Sequence, residues 1–231
     1  MEKIKICCLS DTHTTQNLLL DIPDSDILVF AGDMQSSGYN DWEIYEMVEF
    51  FKELIKNGKT KYVVIVPGNH DRTFEMFKKD TKEYFESYHS IGIRYLEHEE
   101  TIINIKDRNI RIYGEPYQPY FCNWAYNIKD LGKLKHIYSE IPEGLDILIS
   151  HVPPLGILDQ SFNWQTGEKH LGTLELKERL NEMTEPPKLH VFGHIHGSGG
   201  KLKKIDSTTY VNASVCDEKY NPTNEIITVE I

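Results

Sequence analysis

The sequence predicts an α/β fold built around a largely parallel sheet, and three observations predict it. Apolar runs such as Ile27 to Ala31 and Tyr62 to Val66 are strand-length, rich in buried-type residues, and end abruptly in glycine, proline or polar residues. Segments of helical periodicity fall between such runs, in the strand–helix–strand order that favours right-handed βαβ units. Residues able to hold a metal stand just after the apolar runs, at the strand ends where open α/β sheets gather their ligands.

Along the chain, Lys3 to Leu9 supplies the first strand, and it carries two adjacent thiols, Cys7 and Cys8, which the strand period points to opposite faces. This opening is too short and too alternating for the apolar core of a signal peptide. Ile27 to Ala31 is the second strand. Ile44, Met47, Val48, Phe51, Leu54 and Ile55 then hold the i, i+3, i+4, i+7 spacing of one buried helix face. Asn40 with Glu43 offers a capping box, and Asn57-Gly58 a stop. Tyr62 to Val66 is the third strand. After Asp71, the residues Phe74, Phe77, Thr81, Tyr84, Phe85 and Tyr88 predict a second helix.

The middle of the chain changes character. Thr101 to Ile105 and Ile110 to Tyr113 flank Lys106-Asp107-Arg108-Asn109, which reads as a hairpin. Glu115 to Trp124 is an aromatic loop broken by prolines at 116 and 119. Asp146 to Ile149 is a buried strand, Thr173 to Met183 a helix stopped by Pro186-Pro187, and Leu189 to Phe192 a further strand. Runs at 201–205, 208–213 and 226–231 finish the chain. No repeat, low-complexity tract or linker interrupts it, so one domain over residues 1–231 is expected.

Composition narrows the function. With 231 residues, 39% hydrophobic and 26% charged, the chain is long enough to bury a full core. No apolar run approaches the ~20 residues of a bilayer span. The four cysteines, Cys7, Cys8, Cys122 and Cys216, show neither Cys-x-x-Cys spacing nor a disulfide framework, which suits reduced thiols in the cytoplasm. Net charge is −11 and no lysine–arginine block is present. A protein gripping long nucleic acid needs a basic stripe to displace counterions, so a small substrate is expected.

The chemistry lies in a constellation. The strands end in Asp11-Thr12-His13, Gly32-Asp33, Gly68-Asn69-His70-Asp71, Ser150-His151 and Gly193-His194-Ile195-His196. A lone His-x-His is a weak signal; five strand ends that each deliver a donor make a strong one. His89, His98, His136, His170 and His190 follow no such pattern and read as surface or structural residues. Carboxylates, imidazoles and one amide suit Mn²⁺, Fe or Zn²⁺ better than an all-oxygen calcium cage. Seven ligands suit two ions, with one carboxylate bridging and the metals about 3.5–4 Å apart. Two divalent ions against Asp11 and Asp33 leave a locally positive pocket inside an acidic chain.

These blocks resemble the calcineurin-like metallophosphoesterases, whose signature runs D-x-H, G-D, G-N-H-[DE], a lone H and G-H-x-H. All five are present in order between residues 11 and 196. Ser150 to Asp159, Leu189 to His196 and Tyr210 to Cys216 further resemble the small metallophosphoesterase-domain-containing branch, related to class III cyclic-nucleotide phosphodiesterases. The resemblance implies a four-layer α-β-β-α sandwich of two packed mixed sheets. It also implies that Asp11, His13 and His196 hold one metal, that Asn69, His151 and His194 hold the other, and that Asp33 bridges. His70 matches the family histidine that faces substrate and protonates the leaving group, with a metal-bridging hydroxide as nucleophile. His194 and His196, alternate residues of extended chain, are expected to serve different metals.

Neighbouring residues admit two readings. Asp71 either orients His70 or caps the following helix. Arg72 is a phosphate contact or a solvated surface residue. Tyr117, Phe121 and Trp124, with Phe162 and Trp164, stack a base or pack a loop or partner, and Asn212 fixes a turn near the site. Protein phosphatases of the superfamily continue the second block as G-D-x-V-D-R-G. Here it reads Gly32-Asp33-Met34-Gln35-Ser36-Ser37-Gly38, without the clamp that a phosphomonoester dianion needs. A small phosphodiester, such as a cyclic nucleotide, is therefore the expected substrate. A phosphomonoesterase or a nuclease acting on short ends would use the same site, and a non-catalytic scaffold is the alternative from another class.

Overall fold

In the computed structural model, residues 2–19, 21–163 and 167–231 are described. β1 (Lys5–Leu9), β2 (Ile27–Phe30), β3 (Tyr62–Ile65) and β4 (Ile93–Tyr95) run parallel in one sheet. Between them lie α1 (Asp41–Lys56), α2 (Arg72–Met76) and α3 (Lys78–Glu86). The antiparallel hairpin β5 (Glu99–Ile105) and β6 (Arg108–Glu115) opens the second sheet. The short pair β7 (Gln118–Pro119) and β8 (Asn127–Ile128) brackets the aromatic loop and leads into α4 (Leu131–Ser139). β9 (Ile147–Ser150) joins the second sheet, and β10 (Gln160–Asn163) and β11 (Gly167–His170) pair apart from both sheets. After α5 (Leu174–Glu182) come β12 (Leu189–Phe192), β13 (Lys201–Ile205) and β14 (Thr208–Asn212), and β15 (Ile227–Glu230) returns to pair antiparallel with β1.

The sheets read β15-β1-β2-β3-β4 and β13-β14-β12-β9-β6-β5. Strand alternation explains how they stack. Cys8, Ile27, Val29 and Val64 face Ile112, Ile147, Ile149, Val191 and Val211 in a dry core between the two sheets. Their neighbours Cys7, Leu28, Phe30 and Ile65 face Met47, Val48 and Phe51 of α1 on the outside. On the second sheet Leu148, Phe192 and Tyr210 likewise face Leu134 and Tyr138 of α4 and Leu176 and Leu180 of α5. This is the four-layer α-β-β-α sandwich, with apolar residues on both faces of every central strand.

Local expectations were met with instructive departures. Asn40 caps α1 by accepting from the Trp42 amide at 3.1 Å, but Glu43 turns to the Ser36 amide instead of closing the capping box. The helix predicted after Asp71 breaks at Phe77, whose φ of −122° and ψ of 42° are not helical and whose side chain is exposed, so Phe77 leaves the buried stripe formed by Phe74, Thr81 and Phe85. The β5–β6 turn is tighter than expected: Lys106 and Asp107 both take positive φ, the geometry of a two-residue hairpin turn. α4 was not anticipated, though Asp130 accepts from the Gly132 and Lys133 amides and Leu134 and Tyr138 supply its buried face.

His98 ties the second sheet to the loops beyond it. Its Nδ1 lies 2.6 Å from Glu115 at the end of β6, and its Nε2 lies 2.7 Å from Glu140 after α4. The hydrogen bond to Glu115 outweighs burial and, with Glu140, holds the imidazole up at about 9. Burial pushes Glu115 above its usual range as well, with His98 opposing. Because the folded value of His98 lies above the ordinary one, its charge stabilises the fold fully below about pH 6.5 and is lost as pH rises through about 9. Solvent screening at this half-buried site reduces the effect to about 1–2 kcal/mol. Denaturant unfolding of His98→Gln should therefore show its charge-dependent deficit at pH 6 and little of it at pH 10; a deficit independent of pH would refute this ion-pair account.

Candidate metal centre

The C-terminal ends of β1, β2, β3, β9 and β12 bring all seven predicted ligands into one cluster. Asp11, His13 and His196 form one group whose candidate donor atoms lie within 4.8 Å of one another, and Asp33, His151 and His194 form another. Asn69 joins the second group, its Oδ1 2.8 Å from His151 Nε2. Asp33 lies between the groups, with Oδ2 3.8 Å from His13 Nε2 and 3.4 Å from His151 Nε2. The two histidines of the His-x-His motif thus fall on opposite sides of the cluster. His194 lies with His151 and Asp33, whereas His196 Nε2 is 3.4 Å from Asp11 and 3.3 Å from His13 Nε2.

The tautomers are fixed from behind. His13 Nδ1 bonds the Gln35 carbonyl, His151 Nδ1 the Ala31 carbonyl and His196 Nδ1 the Asp217 carbonyl, at 3.1, 2.8 and 2.9 Å. A carbonyl can only accept, so each Nδ1 carries a proton and each Nε2 lone pair is left for the cluster, the arrangement metal-binding histidines use. Backbone geometry is fixed as tightly. Asp11, His13, Asp33 and His194 all take positive φ, a conformation costly for residues other than glycine and found where a site over-determines its geometry.

Glycines let the strands' ends close in. A Cβ at Gly193 would collide with the carboxylate of Asp11, and one at Gly68 with that of Asp33. At Gly32 the φ of +98° and the approach of His151 Nδ1, 2.5 Å from where a Cβ would stand, both require glycine.

Electrostatics follow from burying acids beside imidazoles. Burial would raise Asp11, but His196 and His151 hold it down at about 2. Burial would likewise raise Asp33, and His151, His70 and His13 hold it well below the usual carboxylate range. For the histidines, burial lowers His13 to about 4 and His194 to about 3, whereas contact with Asp33 holds His151 at about 9 and contact with Asp11 holds His196 at about 9. The carboxylates are thus charged at neutral pH and attract cations. Binding a divalent ion then displaces protons from the paired imidazoles, so affinity falls in acid. Charged carboxylates, imidazoles with Nε2 presented, and an amide oxygen form a donor set that fits two divalent ions of the transition series.

Asp71 departs from both readings of the sequence. It makes no side-chain cap to α2, and no bond to the imidazole of His70. Its buried carboxylate accepts from the amides of Asp33, Gln35 and Gly68 at 2.9, 2.9 and 2.7 Å. It is a positioning residue that braces the turn carrying Asp33. Burial and the neighbouring Asp33 charge push it up to about 7, against those amide bonds.

His70 stands at the rim. Its amide donates to Asp33 Oδ1 at 2.7 Å, its Nδ1 donates to the Ser36 carbonyl, and its ring faces His13 edge-on with centroids 4.7 Å apart. One of its nitrogens also falls within 4.8 Å of donor atoms of His13 and Asp33. Around this floor opens a cavity of about 720 Å³ whose walls include Gln118, Tyr120, Phe121, His170, Glu218 and Tyr220. His170, which the sequence reads as surface or structural, lines the wall, where Asp159 holds its Nδ1 at 2.7 Å; no motif marks it. Tyr220, in positive φ, lies 4.8 Å from His13 ring to ring.

The aromatic loop divides in function. Trp124 stacks on His70, Tyr117 packs edge-on against Tyr126, and Phe121 faces the cavity edge-on to His194. Trp164 lies outside the described residues, as does the side chain of Phe162. Arg72 is half-buried and, away from the cluster, lies over the rings of Tyr39 and Trp124. Asn212 ties the site loops, donating to the Leu158 and Ile195 carbonyls.

Comparison with known proteins agrees with this geometry. The calcineurin-like phosphoesterase family profile matches residues 4–198. Metallophosphoesterase domain-containing protein 1 of Homo sapiens is 33% identical over 243 residues, covering 98% of this chain and 71% of the relative, and its Mus musculus counterpart matches equally. Among solved structures, phosphopantetheinyl hydrolase from Mycobacterium tuberculosis superposes with a TM-score of 0.60 over 97% of this chain and 96% of its own, at 16% identity, a likeness of fold alone. Among the described residues no helix is long and apolar enough to cross a membrane. With the matched profile spanning every candidate ligand, the chain belongs to the calcineurin-like phosphoesterase family of metal-dependent phosphoester hydrolases.

Proposed function

We propose that this protein is a dinuclear phosphodiesterase acting on small diesters, cyclic nucleotides among them, with Mn²⁺ as its metal. The observation that carries the reading is a shared carboxylate, Asp33, between His13 on one side and His151 on the other, with complete donor groups flanking it. Asp11, His13 and His196 would hold one ion, and Asn69, His151 and His194 the other. When bound, the two ions supply Lewis acidity for the phosphoryl oxygens and a more acidic water.

The chain's own residues do the rest. His70 keeps its Nδ1 proton on the Ser36 carbonyl, so Nε2 is the nitrogen free to give a proton to the departing oxygen. Asp71 holds the Asp33 turn. Among the described residues lining the cavity there is no lysine or arginine, and Glu218 adds negative charge at its edge. That wall suits a diester, which carries one charge less than a monoester dianion. The closing strands β14 and β15 complete the two sheets, so residues 1–231 are taken as one metallophosphoesterase unit. Four free thiols, three of them buried, accord with a cytoplasmic setting.

Three measurements test this. Stripped of metal and reconstituted with Mn²⁺, the protein should turn over an aryl phosphodiester faster than the matching monoester; a strong monoester preference overturns the diester assignment. His70→Ala should lose about 10²–10⁴-fold on esters with poor leaving groups and far less on activated aryl esters, because only the former need a proton donor. Equal losses would remove His70 from that role. His194→Ala and His196→Ala should each lower bound metal from about two ions per chain to about one, read by elemental analysis. Complete emptying by either substitution contradicts the division of ligands.

A further inference from the structure

The sequence offers Trp124 as a ring for a substrate base or for packing, yet its ring system is already engaged. It stacks on the imidazole of His70 with centroids 3.9 Å apart and planes 22° from parallel. The Arg72 guanidinium carbon lies 4.6 Å from the Trp124 ring and 4.9 Å from that of Tyr39, whose hydroxyl accepts from Arg72 Nη1. We propose that Trp124 is the positioning residue for His70, and that Arg72 and Tyr39 brace it. The inference rests on the reading of His70 as the proton donor to the leaving group.

Independent features converge on the same imidazole. The Ser36 carbonyl accepts its Nδ1–H, fixing the ring in its plane but leaving it free to tilt about that bond. A face-on stack resists the tilt that an in-plane hydrogen bond permits. The segment carrying Ser36 and Tyr39 approaches closely because residue 38 is glycine: at φ +76°, a Cβ there would strike the His70 carbonyl and stand 2.8 Å from the Arg72 amide. The loop carrying Trp124 is clamped by one side chain. Asn127 Nδ2 donates to the carbonyls of Phe121, Cys122 and Trp124, while its Oδ1 accepts from the Phe121 amide. Arg72 makes the column costly to replace by solvent, since its Nε is buried without a hydrogen-bond partner and the guanidinium is held by the rings.

The experiment compares Trp124→Ala, Trp124→Phe, His70→Ala and the double variant Trp124→Ala/His70→Ala on phosphodiesters spanning a range of leaving-group basicity, in the metal-reconstituted protein. Trp124→Ala should lose about 10–100-fold in kcat on poor leaving groups, the scale of a small misplacement of a reacting group, and little on activated aryl esters. Trp124→Phe should recover most of that loss, metal content should be unchanged, and Trp124→Ala should add nothing once His70 is alanine. In parallel, the His70 ring C–H signals in NMR of the protein loaded with diamagnetic Zn²⁺ should lose their indole ring-current shift and broaden in Trp124→Ala. Equal losses on every ester, the same loss without His70, or unmoved His70 signals would each overturn the proposal. Should His70→Ala itself act equally on all esters, the proton-donor role fails, and the NMR result alone decides whether Trp124 positions the ring.

Discussion

Everything at the cluster depends on keeping the Asp33 carboxylate charged, buried and still. A buried carboxylate is costly unless it is paired and hydrogen-bonded. Here Oδ1 accepts from the His70 amide, Oδ2 faces His13 and His151, and the Asp33 amide is itself held by Asp71. The result is two acids buried in contact, one pushed down by imidazoles and one pushed up by burial and its neighbour. Such an arrangement is unfavourable alone and becomes favourable when cations share the pocket. The strain recorded in the positive φ values of Asp11, His13, Asp33 and His194 belongs to the same account: the sheets hold a site ready for ions that then stabilise it.

The four layers explain why such a site forms at this place and not elsewhere. Two sheets packed through a dry core align the C-terminal ends of β1 to β3 with those of β9 and β12. Ligands from the first sheet and ligands from the second therefore meet across the inter-sheet seam. Gly193 lies where the second sheet's last ligand loop passes Asp11, and Gly68 where the loop after β3 passes Asp33. A side chain at Gly193 would hold the two halves apart, and one at Gly68 would do so as well, since its Cβ would stand 2.6 Å from the His151 ring of the second sheet.

How much of this was legible in the sequence varies with the physics involved. The central strands and α1 were visible because burial on both faces, or on one helical stripe, writes itself into local spacing. The ligands were visible because each follows such a strand. What was hidden depended on contacts between distant segments. The kink at Phe77 keeps the hydrophobic spacing of a continuous helix while breaking its backbone. Asp71 precedes a helix, as a cap would, but its carboxylate is claimed by amides of the turn after β2. His170 reached the cavity wall through a hairpin that belongs to neither main sheet. Nothing local to those residues encodes these outcomes.

Arg72 shows how far such nonlocal claims reach into specificity. It is two residues from His70 along the loop and could have served the phosphate as a clamp. Instead the rings of Tyr39 and Trp124 draw it off, and a guanidinium over aromatic faces gains about 0.5–2 kcal/mol, more as it is shielded from water. The cost of retrieving it would fall on every turnover. With Arg72 committed to the wall and no arginine among the described residues lining the cavity, neutralising phosphate is left to the metals, as the proposed diester reading requires. The same commitment turns Arg72 from a binding group into part of the frame behind His70, so the absence of a clamp and the presence of a braced imidazole have one structural origin.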